Sequence, residues 1–123
     1  MHHITTDHKR KIIIYKHYGT INLGDLQSAW LEILNINMFS QGDYNLLADY
    51  RNAKFNFEFK ETNVVLDFLL TIKDILKGKK EAVIVDNPQS TVMSMLVKKE
   101  IQKIPEFRVE IFSTSNAAYN WLR

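Results

Sequence analysis

The hydrophobic pattern along the chain changes period several times, and each change marks an element. HITTDHKRKIIIYKHYG, residues 3–19, reads as a β-hairpin. Residues 3–7 form one strand, a charged turn spans Asp7 to Lys11, and the β-branched run Ile12-Ile13-Ile14 begins a second strand that Gly19 ends. Leu26, Ala29, Trp30, Ile33 and Leu34 then recur at helical spacing and give one apolar face. Asn22 is placed to cap this helix, with Asp25 at N3 as a short-armed relative of the capping box and Ile21 able to staple onto Leu26. NINMFSQGD is the loop out, and NLLADY is a short, nearly all-apolar strand suited to burial on both faces.

The second half repeats the alternation. NVVLDFLLTIKDIL predicts a second helix, closed by Lys77 and Gly78, where a cation suits the helix dipole. EAVIV is another buried strand, stopped at Asp86-Asn87-Pro88, with Pro88 suited to a turn or a first helical position. STVMSMLVKKEIQKI predicts a third helix, RVEIF the last strand, and Thr114 a cap for a short terminal helix, SNAAYNWL. The order is ββαβαβαβα. Strands separated by helices imply parallel neighbours and right-handed crossovers, so the expected fold is a single α/β domain over residues 1–123. It has two layers, a mixed, mostly parallel sheet opening with a hairpin, and about four helices.

Composition narrows the function classes. At 46% hydrophobic and 24% charged residues the chain has ordinary globular composition. The absence of cysteine removes disulfides, a thiolate nucleophile and cysteine-based zinc sites. Sixteen basic residues against 14 acidic ones leave a net charge of +2, well short of a nucleic-acid-binding stripe. MHHITTDHKRK lacks an apolar core of signal-peptide length, and NVVLDFLLTIKDIL is interrupted by Asp67, Lys73 and Asp74 and too short to span a bilayer. The expectation is a cytoplasmic protein without stable membrane insertion.

Three features carry candidate chemistry. Asp49, Tyr50 and Arg51 close the central strand, and Asp86 closes the next; ligands of open α/β sheets sit beyond such carboxyl ends. Arg51 is suited to clamp an anion, or else to pair with a carboxylate while Asp49 accepts backbone N–H groups. In KFNFEFK, Phe55, Phe57 and Phe59 alternate at strand period, which predicts three aromatic side chains on one side, a potential binding patch. The helix at 63–76 is apolar around most of its circumference: beyond the stripe Val65, Phe68, Leu69, Ile72 and Leu76 it carries Val64, Leu66, Leu70 and Ile75. Leu66, Leu70 and Phe57 are therefore the candidate contacts of a homodimer. His8 and His17 are positioned to face each other across the hairpin, without the carboxylate or cysteine company of a metal site. No cofactor motif and no phosphate-cradling loop is present: glycines 19, 24, 42 and 78 are isolated.

IIIYKHYGTINLGDL, NLLADYRNAKFNF, EAVIVDNP and VEIFSTSNAAYNWLR, in this order, resemble the STAS-like family (the SpoIIAA-like superfamily), in particular its small uncharacterised bacterial proteins. Members commonly close a strand on Asp-x-Arg after the first helix and finish with an Ala-x-x-Trp-Leu helix, here Ala118-Tyr119-Asn120-Trp121-Leu122. The resemblance implies a non-enzymatic regulatory or interaction module. Anti-sigma-factor antagonists of this group are switched by phosphorylation of a serine in an Asp-Ser context just after the central strand. Here Tyr50 follows Asp49, and no serine lies between Asp43 and Lys60. Two other readings stand beside this one. By analogy of fold with lipid-carrying domains, the chain is a carrier of a small lipophilic molecule; alternatively it is an enzyme with a site at Asp49, Arg51 and Asp86. Partners expected on these grounds are a second copy of the chain, a regulatory protein or a small hydrophobic molecule.

Overall fold

The opening hairpin forms where the alternation predicts it. In the computed structural model, which describes residues 1–123, β1 (His2–Asp7) pairs antiparallel with β2 (Ile12–Ile21). The turn closes through the Asp7 carboxylate, which accepts bonds from the Arg10 backbone N–H and guanidinium, both at 3.0 Å, and through Lys11 at a left-handed φ of 57°. The register sets His17 opposite His2. His8 lies beyond β1 and bonds the Tyr44 hydroxyl at 2.9 Å, so the expected His8–His17 pairing does not occur.

From β2 the chain runs α1 (Leu23–Leu34), α2 (Asn37–Ser40), β3 (Asn45–Phe55), a 3-10 turn (Phe59–Glu61), α3 (Thr62–Thr71) and α4 (Lys73–Leu76). It finishes with β4 (Lys80–Ile84), α5 (Pro88–Ile101), β5 (Arg108–Phe112) and α6 (Ser115–Leu122). The sheet order is β1-β2-β3-β4-β5, with β2 to β5 mutually parallel. The expected α/β architecture and mixed sheet are thus observed, with two additional single-turn helices. One is α2, inside the expected loop. The other, α4, arises because the helix over 63–76 breaks at Ile72, whose φ of −114° and ψ of 22° leave the helical region.

Each step β2→β3→β4→β5 moves to the adjacent parallel strand in the same direction, and right-handed crossovers then place all the connecting helices on one face. Ala29, Trp30 and Ile33 of α1, Leu66 and Leu69 of α3 and Ile101 of α5 accordingly pack with Ile13, Tyr15, Leu46, Ala48, Tyr50 and Val83 in the main core. Only α6 covers the other face, where Ala118 and Leu122 meet Ile12, Leu47, Ala82 and Ile84. This thin third layer refines the two-layer expectation.

β3 is longer than the NLLADY segment and carries an irregularity. Lys16 pairs with Asp49 but Tyr18 with Asn52, so Tyr50 and Arg51 together oppose the single residue His17. This is a β-bulge, and its extra residue shifts the alternation. Before it the even-numbered Leu46, Ala48 and Tyr50 face the main core; after it Ala53 and Phe55 do. His17, 1% exposed, sits at the bulge with its ring nitrogens bonded to the Tyr15 hydroxyl at 2.9 Å and the Thr20 carbonyl at 3.1 Å.

The start of α1 is locked as the sequence anticipates. The Asn22 side chain accepts from the Asp25 backbone N–H, and the Asp25 carboxylate accepts from the Asn22 N–H, each at 2.9 Å. Asn22→Ala is expected to lower the unfolding free energy by about 1 kcal/mol in urea denaturation without changing the slope of the transition.

Candidate functional site

The residues of ADYR do not form one site, because strand alternation sends them to opposite faces of the sheet. Asp49 and Arg51 lie on the α6 face and bind one another. Arg51 donates from Nε to Oδ1 at 3.0 Å and from Nη2 to Oδ2 at 2.7 Å, and its backbone N–H reaches Oδ1 at 3.1 Å. Nη2 also donates to Ser115 Oγ at 3.1 Å, tying the strand to the first turn of α6. Burial alone would raise the Asp49 pKa, but the Arg51 hydrogen bonds and charge outweigh it and hold the carboxyl below its usual range. Asp86 stands exposed near this pair and forms no ion pair with it. The three proposed catalytic groups therefore comprise a closed salt bridge and a solvated carboxylate, and Asp49 is not free to serve as a base.

Tyr50 points the other way, into a pocket between the sheet and α1, α3 and α5. Leu26 and Trp30 of α1, Val65 and Leu69 of α3, and Met93, Val97 and Ile101 of α5 line it, with Val83 and Val109 from the strands. The bulge and the chain leaving β3 add aromatic rings. Tyr50 meets Phe55 edge-on with centroids 5.0 Å apart, and Phe55 meets Phe57 at 5.6 Å. The phenylalanine expectation is thus corrected in part. β3 ends at Phe55, so the three rings do not share one strand face. Phe55 and Phe57 turn into the pocket, while Phe59 enters the 3-10 turn and is exposed. The dimer expectation changes too: Leu66 is a core residue at 8% exposure, whereas Leu70 remains exposed, as does Val64.

One pocket residue went unnoticed as a site residue. Glu81 begins the inner face that continues through Val83 and Val85, opposite Leu46 of β3 and Val109 of β5. It is 7% exposed and lines the pocket. Its carboxyl has no hydrogen-bond or ion-pair partner in the chain, its oxygens are not sealed off, and the side chain lines both this pocket and a small adjoining cavity with Ala29, Ile33 and Leu46. Burial pushes its pKa up to about 7. The titratable neighbours are Tyr15 from β2, raised chiefly by burial and further by the Asp25 and Glu81 charges, Tyr50 from β3, raised chiefly by burial and further by the Glu81 charge, and Lys98 from α5. Lys98 is already committed, with Nζ on Glu110 Oε1 at 2.8 Å. The sequence did carry a signal: EAVIV reads as a strand buried on both faces, and a carboxylate inside such a strand is anomalous.

No protein-family model matches the chain. No curated protein matches it by sequence. Among solved structures it is similar to an uncharacterised protein from the DUF3478 family with a SpoIIAA-like fold, from Shewanella loihica PV-4, with a TM-score of 0.66 over 99% of this chain and 94% of that one. The fold is SpoIIAA-like. Identity to that protein is 12%, so the shared property is the fold, and the site must be argued from this chain's own residues. Within the SpoIIAA-like fold seen here, the bulged β3 and the α5 crossover are what open the pocket above Glu81. No helix is long and apolar enough to cross a membrane.

The buried carboxyl makes stability depend on pH. With a folded pKa near 7 against an ordinary 4.5, the folded state binds the extra proton between those values. Stability from this group is therefore complete below about pH 4.5 and is lost as pH rises through 7. Glu81→Gln cannot ionise, so relative to its effect at about pH 4 it is expected to gain about 3 kcal/mol at about pH 8 in urea unfolding. An equal effect at both pH values would show that Glu81 is not held neutral by burial.

Proposed function

We propose that the chain is a non-enzymatic SpoIIAA-like regulatory module that binds a small, largely apolar molecule between its helices and sheet. The observation that carries this reading is the pocket itself: 12 of its 15 lining residues are hydrophobic, and a few polar groups converge on it. Its volume is about 70 Å³. That is roughly half of the ~150 Å³ cavity that takes benzene, so the enclosed part holds a short chain or one end of a longer molecule. The closed Asp49–Arg51 pair supports the absence of catalysis at the rim. Titration with n-hexanol, followed by backbone amide shifts, is expected to give saturable changes centred on Leu69, Val83 and Val97. Val97→Phe, which fills the space from a half-buried helix position, is expected to abolish them. Shifts that stay linear in alcohol, or that spread evenly over the surface, would remove the binding reading.

A second reading, self-association, rests on a separate surface. Phe59, Val64 and Leu70 are exposed around α3. Val64 also borders an apolar groove of about 120 Å³ with Leu23, Leu26, Trp30, Val65 and Phe68. A homodimer through this side would cover apolar surface that a lone subunit leaves in water. Native mass spectrometry and sedimentation are expected to give a dimer that Val64→Lys with Leu70→Lys converts to monomer. A monomer at about 100 µM for the unaltered chain would exclude it.

A further inference from the structure

We infer that Glu81 reads the polar end of the pocket's ligand and that this end is a cation: an alkyl- or arylalkylamine, its ammonium on the carboxylate and its chain among the apolar side chains. This rests on the pocket being a binding site, and it adds the chemical class of what binds.

The argument starts from what is missing around Glu81. A carboxyl this deeply placed normally has a cation or several N–H donors, because desolvating it alone is costly. Here the neighbouring Tyr15 hydroxyl is engaged with His17, and the Lys98 ammonium with Glu110. No group of the chain completes the carboxyl, although its oxygens are not sealed off and the side chain lines the pocket. A ligand that supplies a positive, donor-bearing group satisfies it, whereas an anion is repelled and an alcohol offers only one neutral donor.

The walls point to the same class. Trp30, Tyr50, Phe55 and Phe57 line the same pocket as Glu81. Ring faces attract cations through the quadrupole, and more strongly when water is excluded. Aromatic rings beside an acidic group are the chemistry that recognises organic ammonium ions. A hydrated inorganic cation would need several oxygen ligands, and no group of three or more ligating side chains occurs in the chain. The limited enclosed volume fits an ammonium with a short stretch of chain, the remainder leaving by the open side.

The ionisation of Glu81 adds a pH dependence. With a pKa near 7 it is charged at about pH 8 and neutral at about pH 5.5, while an alkylammonium stays charged at both. Of the titratable neighbours, Lys98 is engaged with Glu110, and Tyr15 and Tyr50 do not ionise in that range, since burial raises both above the ordinary tyrosine value.

The test compares n-hexylamine with n-hexanol on the intact chain by calorimetry and amide shifts. At about pH 8 the amine is expected to bind at least about 10-fold more tightly than the alcohol. Glu81→Gln is expected to bring that ratio to about one. In the unaltered chain the ratio is expected to fall several-fold at about pH 5.5, an arm that needs no variant. Equal binding of amine and alcohol at about pH 8, or a preference that survives Glu81→Gln, overturns the cation assignment and leaves the pocket standing. Failure of both probes to bind removes the pocket reading with it.

Discussion

The organisation of this protein follows from one constraint on chain direction. Four consecutive strands are parallel and each is the immediate neighbour of the last, so every crossover helix must lie on the same side of the sheet. Helices α1 to α5 then share one face while α6 covers the other. A face covered by several cylinders has seams between them, and the pocket opens in such a seam, where α1, α3 and α5 meet over β3, β4 and β5. Side chains at the sheet's carboxyl end take distinct roles by parity. Those on the α6 face, Asp49 and Arg51, neutralise each other and anchor a terminal helix; Tyr50 between them belongs to the pocket.

Within that frame the bulge in β3 decides which residues meet. An unbroken alternation would have placed Phe55 on the face of Asp49. One extra residue opposite His17 returns it to the face of Tyr50 and sets the two rings in contact. Bulges are frequent beside functional sites because they re-aim side chains in this way. The buried His17 holds the partner strand at that point through Tyr15 and Thr20, and burial lowers its pKa, so it remains neutral and keeps both bonds. A neutral hydrogen-bonded histidine and an unpaired glutamate, a few strands apart, show opposite treatments of a buried polar group. The first is satisfied by the chain itself, and the second is not.

Much of the fold was legible in the sequence, and the exceptions share physical causes. The hairpin, the Asn22 cap, the element order and the terminal helix follow from local rules that depend on near neighbours in sequence. The helix over 63–76 was legible as apolar and helical but not as broken, since Ile72 carries no Gly or Pro signal. Phe55, Phe57 and Phe59 were legible as unusual, but period-two reasoning fails once a strand ends at the first of them. Leu66 and Leu70 illustrate the same limit. Both lie outside the simplest stripe, yet one is buried and the other exposed, because α5 and the 3-10 turn cover only part of the helix. The site was half-legible: Tyr50, Phe55 and Phe57 stand in the pocket, but Glu81 was absorbed into a run counted as buried strand.

Glu81 matters because a buried, unpaired carboxylate opposes folding at neutral pH, and nothing within the chain offsets it. A glutamine, or an aliphatic residue of similar volume, would pack in the same strand position without that cost. The neighbouring inner-face positions, Val83 of β4 and Val85 just past its end, are filled by valine. An acid set among aliphatic neighbours at a cost to stability is what our proposal assigns to a group reaching it from the open side of the pocket. That is the physical case for placing function on the helix-covered face, away from the Asp-x-Arg strand end that first draws the eye.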